Sequence, residues 1–304
     1  MQKFSFGLTM MAGIGALVGL ALAQQQPQPL KVHAIKDGSV YWLEGGGGNT
    51  GVVIGQNGVV VIDAKTTPAG GKQVVEEVAK LTPKPITHVI LTHSDGDHVN
   101  GLPGFPEGIK IIAHENNKKE QQMTFLFAAV EVDGGKCLPP ADRLPNQVIA
   151  RDKVATKIDG VNFVFHHFGP AHTSGDLVVY LPDEKIAFTG DLLTSTVLIH
   201  PEKSGSFDGW FKNAQGLLAL DTDTYLGGHA GTTDTKASLQ KRIDGYQAIR
   251  DKVDGLMKEG KSLADVKIAM GDPAKNPSGC RGIPYPSLAE VEYQAQTDKN
   301  TEIK

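Results

Sequence analysis

Residues 86–101, ITHVILTHSDGDHVNG, set an apolar strand-like run directly against two histidines and two carboxylates packed between positions 93 and 98. A hydrophobic core does not accept unpaired charge at that density, and a solvated loop has no need of it. The cluster predicts a strand that ends at a built polar site, with His93, Asp95, Asp97 and His98 as metal-capable side chains. Any fold for this chain has to bring the carboxyl end of that strand to an accessible rim.

Three later segments repeat the arrangement. His172 lies in FGPAHTSGD after the strand-like run 161–168, Asp191 in FTGDLL after 185–189, and His229 in YLGGHAG after 224–227. In open α/β sheets, sites form beyond the carboxyl ends of strands, so four segments deliver ligands to one rim. Glycine stands beside nearly every one, permitting tight turns where the chain leaves a sheet. Imidazole and carboxylate donors suit zinc and its neighbours, and catalytic zinc keeps three protein ligands and an open position. Seven donors serve two ions if one carboxylate is shared. His93, Asp95 and His172 are assigned to the first, Asp97, His98 and His229 to the second, and Asp191 to the bridge.

The remaining pattern fits that reading. KVHAIK, SVYWLE, TGVVIG and GVVVID, separated by Gly and Asn turn signals, predict antiparallel strands between 31 and 63. The run Gly45–Gly48 reads as a mobile hairpin loop; it lacks the GK[ST] ending of a phosphate-binding loop. Helices are predicted near 69–81, 116–130, 207–220 and 233–258, strands at 110–114 and at the ligand-bearing segments, and a Gly/Pro-rich loop at 131–147. No fixed-period repeat or composition break marks a second domain, so 31–304 is expected to be one domain.

THSDGDHVNG, GPAHTSGDLVVYLPDEKIAFTGDLL and GGHAG resemble the successive motifs of the metallo-β-lactamase superfamily, and the likeness extends from about Gly45 to the helix after His229. The resemblance implies an α/β fold of αββα sandwich type, with two mixed β-sheets packed face to face, helices on both outer faces, and a dinuclear site at one edge. It implies that Asp63, closing an early strand, supports the ligands from behind. The usual opening of the family is HxHxDH, whereas the second histidine here is Asp95. Asp191 stands where cysteine-bearing, antibiotic-hydrolysing members place their cysteine. The pattern is closer to the glyoxalase II, lactonase and nuclease branches, which use a bridging aspartate.

The expected activity is that of a metal-dependent hydrolase. Two divalent ions sharing a water lower its pKa, and the resulting hydroxide attacks a lactam, lactone, ester or thioester carbonyl. Asp97 is the catalytic candidate, ligating and orienting the nucleophile; there is no G-x-S-x-G elbow. Zinc is the expected cofactor, with iron or manganese admitted because Asp95 makes the donor set harder and more negative. The alternatives are an iron-dependent redox enzyme on the same scaffold and a non-catalytic metal-binding protein. Among the other histidines, His33, His88, His114 and His166 read as structural or surface residues, while His167 and His200 lie near ligand-bearing segments and can reach the pocket.

A formal charge of −4 with no long basic run argues against nucleic acid and leaves a small molecule as the expected partner. Residues 1–23 have one lysine, an apolar run from Met10 and the ending Ala21-Leu22-Ala23, the order of a secretory signal. Periplasmic or secreted location, cleavage after Ala23, a flexible lead over 24–30 and no stable membrane insertion are therefore expected. Cys137 and Cys280 each sit in a Pro/Gly-rich segment, where a disulfide and two free thiols both stay open. Oligomeric state is likewise open.

Overall fold

The computed structural model describes residues 28–123, 130–132, 136–138, 143–194, 198–272 and 285–302. The expected signal segment, Cys280 and the side chain of Cys137 lie outside the described residues.

Two mixed sheets carry the site. The first uses β1 (Lys31–Lys36), β2 (Val40–Glu44), β3 (Thr50–Ile54), β4 (Val59–Ile62), β5 (Ile86–Ile90), β6 (Lys110–His114) and β9 (Gln147–Ile149), hydrogen-bonded in that order. Its first four strands pair antiparallel and the rest parallel. The second contains β10 (Lys153–Ile158), β11 (Val161–His166), β12 (Val178–Leu181), β13 (Ile186–Gly190) and β14 (Thr224–Gly227), with only β13–β14 parallel. A small antiparallel pair, β7 (Val130–Val132) and β8 (Lys136–Leu138), lies between β6 and β9 in the chain.

Side-chain alternation explains the layering. Val60 and Ile62 of β4 point toward the second sheet, where they join Ile90, Ile112, Phe163, Phe165, Val179 and Phe188. Val59 and Val61 point the other way, against Val74 and Val78 of α1 (Pro68–Leu81). In β12, Val179 and Leu181 face inward while Val178 and Tyr180 face Trp210 and Leu217 of α4 (Phe207–Ala219), beside Leu239 and Ile243 of α5 (Lys236–Lys258). Each such Val, Ile or Phe contributes about 1.5–3 kcal/mol by leaving water. The result is the αββα sandwich.

Helix starts are capped as the sequence demands. Thr67 accepts from Gly70 N at 3.0 Å with Pro68 following, and Ser206 accepts from Gly209 N at 2.9 Å. A one-turn α2 (Gly96–Val99), α3 (Glu115–Met123), α6 (Leu263–Met270) and α7 (Leu288–Glu302) complete the described α-helices. None is long and apolar enough to cross a membrane.

Several predicted boundaries shift. The expected loop 131–147 holds β7, β8 and the start of β9, strands too short to show an alternation. Of the helix expected over 116–130, α3 (Glu115–Met123) is the described part; residues 124–129 lie outside the described residues, and Val130 opens β7. β10, KVATKI, escapes prediction: it is an edge strand with Lys153, Ala155 and Lys157 exposed and only Ile158 buried. In the Gly45–Gly48 run the first three glycines are exposed, while Gly48 is buried and donates to Asp97 O at 3.1 Å; the next residue, Asn49, donates to Gly228 O at 2.6 Å, tying the end of the run to the rim.

Candidate metal centre

All seven predicted ligands converge. β5 delivers residues 93–98, the loop after β11 delivers His172, β13 ends at Asp191 and β14 at His229. Three sets each place one nitrogen or oxygen per residue within 4.8 Å of the others: His93, Asp95 and His172; Asp97, His98 and His229; and His93, His98 and Asp191. The first two match the predicted division, and the third sets Asp191 between them. Asp191 Oδ2 lies 3.8 Å from His172 Nε2 and 3.3 Å from His229 Nε2, while Oδ1 is 3.3 Å from His98 Nε2.

Three of the four rings are aimed from behind. His98 Nδ1 is 2.8 Å from Asp63 Oδ2, which also accepts from Thr92 Oγ1 at 2.7 Å. His93 Nδ1 lies 2.9 Å from that same hydroxyl, and His172 Nδ1 is 2.8 Å from Leu198 O. With each Nδ1 engaged, each Nε2 turns its lone pair into the site, the usual arrangement behind a ligating histidine. Asp63 thus supports the site as expected, and it does so at φ 65°, a left-handed conformation that aspartate tolerates.

Glycines let the backbone close on these rings. A Cβ on Gly48 would fall 2.2 Å from His98 Cε1, and one on Gly228 would fall 1.9 Å from Asp191 Oδ1. No larger residue fits either position.

The charges are tightly coupled. Burial disfavours charge on His98, but Asp97, Asp191 and Asp63 together hold its pKa well above the usual histidine value. Burial also opposes charge on His229, whose contacts with Asp191 and Asp97 nevertheless raise it to about 10. His93 moves the other way, well down, through burial and the neighbouring His98. Asp191 is held well below the carboxylate range, against its burial, chiefly by His98. Two buried atoms, His93 Nε2 and Asp191 Oδ1, have no hydrogen-bond partner among the described residues. Orphaned donors of this kind at the meeting point of nitrogen and oxygen ligands fit a divalent cation.

Four residues that the sequence did not single out, or left open, belong to this region. His200 reaches the pocket, its Nε2 3.3 Å from Asp95 Oδ2, and Glu202 holds its Nδ1 at 2.7 Å. Lys203 places its ammonium on Asp95 Oδ1. Asp176 accepts the N–H groups of Ala171 and His172 and both the N–H and hydroxyl of Thr173, shaping the His172 turn. Lys65, fully buried, donates to Leu43 O and Gly48 O at 2.7 and 2.8 Å, anchoring the glycine run. The signal for Asp176 was its place four residues after His172 across Thr-Ser-Gly, a polar turn. His167 does not face the ligands: it stacks on His114 at 3.9 Å, with Nδ1 toward Asp176 O.

Comparison with known proteins places these features in a family. A 2,4-dinitroanisole O-demethylase subunit alpha from Nocardioides sp. (strain JS1661) is 27% identical over 194 residues, 63% of this chain and 55% of that protein. The hydroxyacylglutathione hydrolase GloC of Haemophilus influenzae is 31% identical over 107 residues, 34% of this chain and 49% of that protein. The chain spans about half the length of the curated relatives it matches. Among solved structures, a stereoselective inverting sec-alkylsulfatase from Pseudomonas sp. superposes with TM-score 0.64 at 20% identity, covering 88% of this chain and 50% of that one. A metallo-β-lactamase from Pontibacter korlensis superposes with TM-score 0.59 at 18% identity, covering 71% of this chain and 97% of that one. Members of this group typically bind divalent metals, and its sequence profile matches residues 43–229 here. By that match, and by the sandwich that carries it, the chain belongs to the metallo-β-lactamase superfamily.

Proposed function

We propose that the protein is an exported metal-dependent hydrolase that uses a dinuclear centre, zinc first among the metals, to direct water at a carbonyl of a small-molecule lactam, lactone, ester or thioester. The observation that carries this reading is the convergence of four imidazoles and three carboxylates, three of the rings being fixed from behind by Asp63, Thr92 and the carbonyl of Leu198. Two divalent cations bound among these groups supply a water of lowered pKa and a Lewis acid for the oxygen under attack.

The chain's own residues divide the rest of the work. Asp191 is buried between the two donor sets, while Asp97 and His229 are the more exposed pair, at 24% and 38%. Substrate therefore approaches from their side. Asp97 Oδ2, 2.9 Å from His229 Nε2, is held where its carboxylate can orient the attacking water and take its proton. His93 and His98, both buried, form the floor.

The demethylase and alkylsulfatase relatives favour a second reading, in which the same site cuts an aryl ether or sulfate ester. The test is metal analysis of protein purified without chelator, followed by turnover of nitrocefin, a lactone, a thioester, an alkyl sulfate and a nitroaryl methyl ether. Fewer than one ion per chain rejects the metal reading; turnover only of the ether or sulfate selects the second. Export is proposed from the order of residues 1–23, and amino-terminal sequencing of the mature protein checks it: the chain should begin at Gln24.

A further inference from the structure

The carboxylate of Asp95 is shared between two duties. Oδ2 faces His172 Nε2 at 3.2 Å and His93 Nε2 at 3.8 Å, inside the first donor set, with His200 Nε2 beside it at 3.3 Å. Oδ1 faces away, onto the ammonium of Lys203. The Lys203 side chain is 3% exposed, and among the described residues Asp95 is the only carboxylate within ion-pair distance of it. A buried lysine is costly unless paired, so the structure holds this one for Asp95.

The loop that carries Lys203 is built onto the His172 turn. His200 N donates to His172 O at 3.0 Å, Ser206 N to Ala171 O at 2.8 Å, and His172 Nδ1 meets Leu198 O. A Cβ on Gly205 would fall 2.4 Å from His172 O, so the two strips of backbone touch. Ser204, at φ 58°, turns the chain between them. Lys203 is therefore placed as firmly as the ligand it serves.

We propose that Lys203 is a charge-compensating and positioning residue, making Asp95 electrically equivalent to a neutral histidine at the first metal site. The inference rests on the metal reading above. Three carboxylates give the donor set three negative charges; with His200 neutral, Lys203 returns one, leaving the two that a histidine at 95 with no lysine would leave. The expectation that Asp95 makes this centre more negative therefore omits a cation 108 positions away. A lysine facing a neutral ligand would instead repel the metal.

The test is a two-residue cycle read by metal content and competitive chelator titration. Wild type and Lys203→Met are expected to hold two ions per chain. Asp95→His alone should weaken the first site by roughly tenfold or more, because the unpaired ammonium then faces the cation. Asp95→His with Lys203→Met should recover the first-site ion. The unfolding midpoint of metal-free Asp95→His, and retention of its second-site ion, separate a local effect from misfolding. If Asp95→His binds as well as the double variant, or Lys203→Met loses the first ion, the compensation is overturned. A wild type holding no metal overturns the metal reading and this inference together.

Discussion

Asp63 Oδ2 lies 2.8 Å from His98 Nδ1 and accepts the hydroxyl of Thr92, which in turn meets His93 Nδ1. One carboxylate thereby fixes one histidine of each donor set. An asparagine can accept the left-handed backbone at this position but offers one acceptor oxygen where the carboxylate offers two. Asp63→Asn is expected to lower metal affinity by about 10–100-fold without unfolding the protein. A fluorescent-chelator competition measures it, and unchanged affinity would remove Asp63 from the site.

The close approach of Gly48 to His98 gives a sharper steric test. Gly48→Ala should displace the His98 ring and cost metal binding and turnover together, because its Cβ would meet three ring atoms within 2.7 Å. Gly231→Ala is the control, since nothing lies within 4 Å of its added carbon. Equal behaviour of the two variants in metal titration would contradict the packing.

Asp176 is a structural keystone of the His172 turn. Asp176→Ala leaves the buried N–H of His172 and the N–H and hydroxyl of Thr173 without this acceptor, while Ala171 N keeps Thr173 O at 2.9 Å. The expected loss of stability is on the order of 3 kcal/mol or more. Urea unfolding of the metal-free protein reads it directly, and metal titration should show the first site weakened more than the second.

His114 and His166, away from the ligands, set an acid limit. Burial, assisted for His114 by His167 and for His166 by Lys153, lowers each to about 4. The folded state thus prefers the neutral rings, whereas the unfolded chain takes up protons below about pH 6.5. Their contribution is present above pH 6.5 and is lost as pH falls toward 4. His166→Phe keeps the stack on Phe168 and removes one titration. Its melting temperature should fall less than that of wild type between pH 7 and pH 4.5; an identical fall would reject the assignment.

The ligands were readable because their chemistry is narrow and local. HSDGDH, HTSGD, GD and GGH each sit just past a strand with glycine at hand, and the same run lengths that mark the strands place the residues. His200 was read only from its nearness to the ligand-bearing segments, and Lys203 was not read at all. A lysine in PEKSG looks like any surface charge until the fold sets it against Asp95. Lys65 was hidden similarly: its side chain is buried by the glycine run it anchors, a meeting of residues from separate turns. Length limits what alternation reveals, which is why β7, β8 and β9 were missed while β4 and β5 were plain.

Four of the converging side chains leave the seven-stranded sheet and three leave the five-stranded one. An ion held among them would be a clasp across the mouth of the sandwich, joining two layers whose facing sides pack through apolar side chains. Stripping it should let the layers breathe apart at that end first, so hydrogen exchange after chelation ought to rise along the rim strands β5, β13 and β14 before it rises at β1.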